Sequence, residues 1–260
     1  MTKRIVHLLQ TVRFAALATG LAALLAATGG CTHLASADSD ALWKIVGGQC
    51  VPEASNGEHP GPCTEVDLQH RYAVLKDING HTQYLLIPTD RVPGIESPEI
   101  LYAGSPEYWA AAWKAGHYVQ ERAGVPLAAD QLGLEINAST RRSQNQLHIH
   151  VDCMRTDITA ALAAHRNDPP DAWQWDTLDG KRYRIMRVAS LVDRDNPFRV
   201  VNRDLDAQQG MASQTILVTG AGQDASHDGW LIVNSSSRLK GGTGTAEGLL
   251  DHTCRLAHGS

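Results

Sequence analysis

In the run Asn145 to Cys153, NQLHIHVDC, polar and apolar side chains change places at every residue from Gln146 onward, the longest strict alternation in the chain. On a β-strand successive side chains point to opposite faces. Gln146, His148, His150 and Asp152 therefore share one face, and Leu147, Ile149, Val151 and Cys153 the other, which predicts a core strand displaying two histidines. Upstream, RYAVLKDI and QYLLIPT predict two strands joined at Asn79-Gly80, a favoured hairpin pair. A helical period covers 106–123, with Ser105 at the N-cap, Pro106 in the first turn and Gly124 past the end. Tyr108, Trp109, Ala112, Trp113 and Val119 form its apolar stripe. DQLGLEIN predicts a third strand ending at Asn137, and ASTRRSQ links it to the histidine strand. Beyond that strand, 157–166 predicts a helix, while YRIMRVAS, SQTILVTG and GWLIVNSSS predict strands set apart by Gly, Asp, Asn and Ser clusters. Near the start, 38–47 predicts a short helix capped by Asp38 or Ser39, then a loop. No internal repeat is visible. The order of elements predicts an α+β fold: an antiparallel sheet with a helix on one face, extended by a C-terminal α/β segment.

Composition bounds the function. Of 260 residues, 43% are hydrophobic and 20% charged, the balance of a globular protein. A net charge of -5 gives no basic field, so nucleic acid is not expected as a partner and the function must come from a local site. Lys3, Arg4 and Arg13 precede the apolar run Phe14 to Thr28, and no charged residue follows until Asp38, the layout of an export signal. The chain is therefore expected to divide into 1–37, a signal sequence or membrane anchor, and 38–260, one globular domain. Cleavage before Ser36, lipidation of Cys31 and retention as an anchor all stay open. The expectation is an exported, membrane-attached protein on the periplasmic face of the inner membrane. With Cys31 set aside, Cys50, Cys63, Cys153 and Cys254 allow three pairings in an oxidising compartment. The local pair Cys50–Cys63 is preferred because it staples a Pro- and Gly-rich loop, which leaves Cys153 for Cys254. No C-x-x-C spacing supports a cysteine metal site.

The two histidines admit three readings: a hydrogen-bonded strand face without a role, part of a zinc or copper site, or nucleophilic catalysis at phosphorus. A metal would need a further ligand such as His117 or His81, and nothing in the sequence marks either. An imidazole can attack phosphorus when its other nitrogen is held by a hydrogen bond. Asn137 and Ser143 favour this reading, since a short polar turn brings an amide, a hydroxyl and backbone N–H groups to the edge where the imidazoles stand.

The arrangement LLIPT, helix, LEIN, then S-x-x-Q-L-H-I-H resembles the histidine-triad superfamily of nucleotide hydrolases and transferases. More closely, YAVLKDINGHTQYLLIPTDRVPGIESPEIL, YWAAAWKAG and INASTRRSQNQLHIHVDC, with the spaced cysteines, resemble the bacterial CDP-diacylglycerol pyrophosphatase family. The resemblance implies that His148, at the second triad position, is the nucleophile that takes a cytidylyl group from CDP-diacylglycerol while phosphatidate departs, water then releasing CMP. Gln146 stands where the first histidine of the triad would be. His150, Gln146, Asn137 and Ser143 are expected to supply hydrogen bonds, and Lys76, Arg141 or Arg142 positive charge. No metal or cofactor is required. The implied partners are the lipid nucleotide and a membrane surface, and oligomeric state is not legible. Tyr108, Trp109 and Trp113 are candidates for an acyl-facing wall, with core packing the preferred account. The alternatives are a pyrophosphatase for another nucleotide diphosphate, or a non-catalytic periplasmic metal- or nucleotide-binding protein.

Overall fold

The computed structural model describes residues 38–205 and 210–258. Helix α1 (Ala41–Ile45) continues through a π turn (Val46–Cys50) into α2 (Val51–Ser55), so the helix expected to stop at Gly47 runs on. Pro52 stands at the second position of α2, in the turn that follows the π segment. Then follow β1 (Cys63–Asp67), β2 (Tyr72–Lys76), β3 (Tyr84–Pro88), α3 (Tyr108–Ala123), β4 (Leu132–Ile136) and β5 (Ile149–Cys153). The second half holds α4 (Thr156–Leu162), β6 (Gln174–Leu178), β7 (Lys181–Val188), α5 (Pro197–Arg203), β8 (Gln214–Gly220), α6 (Ala225–Asp228) and β9 (Trp230–Ser236).

The nine strands of the described residues join one antiparallel sheet in the order β1-β2-β3-β5-β4-β8-β9-β7-β6. The predicted α+β class, with helices on an antiparallel sheet, is the class observed. That order reads the same from the centre outward. A hairpin, a helix and a second hairpin make β2-β3-α3-β4-β5, and the same succession makes β6-β7-α5-β8-β9, the halves meeting where β4 pairs with β8. One line of paired residues crosses both halves: Leu75, Leu85, His150 and Glu135 face Leu217, Val233, Ile185 and Gln174 across the centre. Val233 stands where His150 stands, and Leu217 where Glu135 stands. The repeat lives in topology, and the paired histidines belong to the first half only.

Both long-range helices cover the same face. The apolar stripe of α3 (Tyr108, Trp109, Ala112, Val119) packs with Leu134, Leu147, Ile149 and Val151, and Trp109 meets Phe198 of α5 at a 5.1 Å ring separation. Tyr108 and Trp109 are thus core residues, and Trp113 lies edge-on to Trp230, so none of the three forms a free acyl-facing wall. Helix α3 begins at Tyr108 rather than Pro106, because the Ser105 hydroxyl donates to the Glu99 carbonyl instead of capping the helix. It ends as expected at Gly124, whose φ of 73° is open to glycine without a Cβ clash. On the opposite face, α1 and α2 cover Ala73, Leu75, Leu85 and Ile87, while a separate cluster around Met154, Tyr183, Leu231 and Val233 fills the second half.

Both expected disulfides are present, Cys50–Cys63 and Cys153–Cys254, with Cα separations of 5.9 and 5.3 Å. They fit an oxidising compartment. The inner-membrane placement is corrected: among the described residues no helix is long and apolar enough to cross a membrane. The longest, α3, has 16 residues against the roughly 20 a bilayer requires. The signal, anchor and Cys31 expectations fall on residues outside those described.

Candidate active site

Strand β5 is paired on both sides, with His150 opposite Leu85 of β3 and Glu135 of β4. The alternation expected from the sequence is realised, but its polar face is not solvated. His148 and His150 are each 7% exposed, and Gln146 and Asp152 are fully buried. The two histidines line a cleft of about 480 Å³ together with Leu42, Ile45, Leu75, Asn137 and Glu247.

The two imidazoles lie 5.1 Å apart between ring centres, inclined at 70°. His148 Nδ1 is 2.8 Å from the Gln146 carbonyl oxygen. A carbonyl can only accept, so Nδ1 carries the proton and Nε2 carries the lone pair. Burial pushes the His148 pKa down to about 4, with repulsion from His150 adding to the effect. Burial likewise pushes His150 down to about 4. Both rings are neutral near pH 7, so His148 keeps its lone pair free.

The other expected residues divide. Asn137, Ser143, Lys76 and Arg142 line the same cleft as the histidines. Asn137 donates from Nδ2 to Glu247 at 3.3 Å, and its buried Oδ1 lacks a partner. Lys76 is partly committed, donating to the carbonyls of Asp77 (2.7 Å) and Gly80 (3.0 Å), and burial lowers its pKa. Arg142 is held by Glu96 through two 2.6 Å bonds, which uses both ends of its fork. Arg141, exposed at the cleft wall, has no such carboxylate partner among the described residues. Gln146 is not at the cleft surface. Its Nε2 donates to the carbonyls of Pro88 (3.0 Å) and Asp90 (2.7 Å), so the first triad position pins the turn after β3. His81 and His117 do not line the cleft, and among the described residues no group of three or more His, Cys, Asp or Glu could hold a metal ion.

Sequence reasoning missed the groups behind the histidines. Gln83, 1% exposed, reaches His150 Nδ1 at 2.6 Å and also donates to Asp77 at 2.6 Å. Glu247 Oε1 lies 3.7 Å from His252 and 4.0 Å from His150. His252 Nδ1 is 2.9 Å from buried Asp152, a bond that raises the His252 pKa. Glu135, fully buried beside His150, accepts from Thr215 (2.8 Å) and the Ala246 N–H (2.9 Å), and burial pushes its pKa up to about 8. Glu247 and His252 come from a segment without periodicity. The Cys153–Cys254 bridge is the signal that could have found them, since it brings the C-terminal segment to the end of the histidine strand.

A doubled α+β sheet with a nearly buried imidazole pair lining a cleft is the fold and site to which the known proteins can be compared. The CDP-diacylglycerol pyrophosphatase family matches residues 37–258. A CDP-diacylglycerol pyrophosphatase of Yersinia pestis is 38% identical over 244 residues, covering 92% of this chain and 93% of that protein. The chain belongs to the CDP-diacylglycerol pyrophosphatase family, a family of hydrolases. A yeast Ap4A phosphorylase, Apa2, shares 12% identity and a TM-score of 0.38 over 67% of this chain and 58% of its own, too slight a likeness to carry an argument.

Proposed function

We propose that this chain hydrolyses the pyrophosphate bond of CDP-diacylglycerol in two displacements through His148. The observation that carries the reading is the Nδ1 hydrogen bond to the Gln146 carbonyl, which leaves Nε2 as the unprotonated nitrogen of a nearly buried imidazole in the cleft. In the first step His148 Nε2 bonds to the cytidylyl phosphorus, the P–O bond to the second phosphate breaks, and phosphatidate leaves with that electron pair. In the second, water attacks the same phosphorus and gives up a proton to solvent, the P–N bond returns its pair to Nε2, and CMP leaves. The leaving group is a phosphate of low basicity, so stabilising the charge on the phosphate oxygens matters more than proton donation. His150, Asn137, Ser143 and the guanidinium of Arg141 are the groups we assign to that task, with Lys76 at the rim. Arg142 supports them by holding Glu96, and Gln146 by fixing the backbone that orients His148. No step is routed through a metal.

The test is incubation of the purified protein with detergent-dispersed CDP-diacylglycerol, comparing wild type with His148→Ala. CMP and phosphatidate in equal amounts from the wild type and none from the variant is the expected result. Equal rates in the two proteins overturn the role of His148, and faster turnover of a soluble CDP-alcohol than of the lipid overturns the substrate.

A further inference from the structure

We propose that Asp77 and Gln83 are positioning residues that hold His150 as the tautomer protonated on Nε2, opposite to the tautomer of His148. The inference rests on the double-displacement reading, for which a donor beside the nucleophile is useful and a second lone pair is not.

The Gln83 amide nitrogen lies 2.6 Å from Asp77 Oδ2 and 2.6 Å from His150 Nδ1. A carboxylate only accepts, so the group facing Asp77 must be the NH₂ of the amide, and its second hydrogen then points at His150. Nδ1 must therefore accept, which places the ring proton on Nε2. Turning the amide over would bring Oε1 against the carboxylate oxygen at the same distance, two acceptors with no hydrogen between them. The present orientation leaves Gln83 Oε1 buried without a partner, a smaller cost than a buried acceptor–acceptor contact. The carboxylate is itself anchored, since its Oδ1 accepts the Asn79 N–H at 2.9 Å. No rival acceptor competes for a proton on Nδ1, because Glu247 Oε1 at 4.0 Å is beyond hydrogen-bond reach.

The same dipole logic applied to neighbouring rings gives opposite results. A backbone carbonyl takes the Nδ1 proton of His148, and a side-chain amide fills the Nδ1 lone pair of His150. One imidazole presents a lone pair and the other an N–H. Two neutral rings thus divide nucleophile and donor without either being charged.

The experiment is ¹⁵N NMR of histidine-labelled full-length protein, read together with steady-state kinetics. In the wild type His150 should show a protonated Nε2 and a bare Nδ1, and His148 the reverse. Gln83→Glu puts an acceptor against Nδ1. It should move the His150 proton to Nδ1, leave the His148 pattern intact, and lower kcat at least tenfold. Gln83→Leu should give mixed tautomers and an intermediate rate. Asp77→Asn, on the loop at the cleft wall, frees the amide to turn over and should also mix the tautomers, which keeps the test available if position 83 does not tolerate change. A wild-type His150 protonated on Nδ1, or a Gln83→Glu protein with unchanged tautomer and unchanged kcat, overturns the inference. The NMR result stands whether or not CMP is released, so failure of the hydrolase reading is seen separately.

Discussion

Burial of the nucleophile makes a prediction about pH that is sharp enough to fail. With its pKa pushed down to about 4, His148 is unprotonated in about 97% of molecules at pH 5.5. An imidazole at its ordinary value of about 6.5 would be unprotonated in about 9%. The expected difference in rate at that pH is therefore about tenfold. The quantity to measure is kcat/KM for CDP-diacylglycerol between pH 4 and 8, which reports on the free enzyme rather than the complex. A plateau that persists to about pH 5, with the acid limb near 4, is expected. An acid limb near 6.5, with a tenfold loss by pH 5.5, would refute the claim that desolvation controls this histidine. Stability should follow the same groups. The folded pKa values of His148 and His150 lie below the unfolded value, so the unfolded chain binds more protons below about pH 6.5. Stability is fully present above that pH and falls as the pH drops toward 4, each ring contributing a slope of at most about 1.4 kcal/mol per pH unit.

Glu135 has the opposite sign: its pKa is raised from 4.5 to about 8, so its contribution is present below pH 4.5 and lost as the pH rises to 8. In urea titrations Glu135→Gln should gain relative to wild type by up to about 5 kcal/mol across that window, and parallel pH profiles would contradict it. Arg141→Ala should raise KM several-fold with little change in stability. Arg142→Ala, by contrast, strips Glu96 of a bidentate partner and should lower stability by about 1–3 kcal/mol, as separate denaturation and kinetic measurements would show. Cys254→Ser opens a bridge spanning 101 residues, and a loss of about 3–5 kcal/mol is expected on the chain-entropy account. It should also free the segment carrying Glu247 and His252 to limited proteolysis, and an unchanged cleavage pattern would argue against that bracing.

The sequence was most legible where one face of an element is apolar. The histidine strand, the β2–β3 pair, helix α3 with its glycine stop and three strands of the second half all carry a clear period. The strands it concealed are β1 and β6, the two edges of the sheet, where Cys63–Asp67 and Gln174–Leu178 are only partly buried and keep no unbroken apolar face. Helix α5 was missed, although Asn196 capping Phe198 and Pro197 at the first position were a start signal in plain view. Asn79-Gly80 promised a two-residue turn. The connection is instead the seven residues between Lys76 and Tyr84, because Thr82 and Gln83 turn inward to Asp152 and His150. The topological repeat left no sequence trace because the second half has exchanged its polar floor for Leu231 and Val233.

The site divided along the same line. Residues on the histidine strand and its preceding turn could be read from spacing, and most reach the cleft. Which charges are free to meet a substrate could not, because it depends on partners distant in sequence. Arg142 and Arg141 are neighbours, yet Glu96 occupies one and leaves the other. Gln146 has the triad position but spends its donors on the turn after β3.

The central claim is that His148 becomes covalently nucleotidylated. Rapid quenching of the protein with CDP-diacylglycerol labelled in the cytidylyl phosphate, followed by peptide mass spectrometry, tests it directly. The account predicts an acid-labile CMP adduct on the peptide containing His148, formed within one turnover and absent from His148→Ala. Turnover in the wild type with no adduct at any time, or an adduct that persists in His148→Ala, would contradict it.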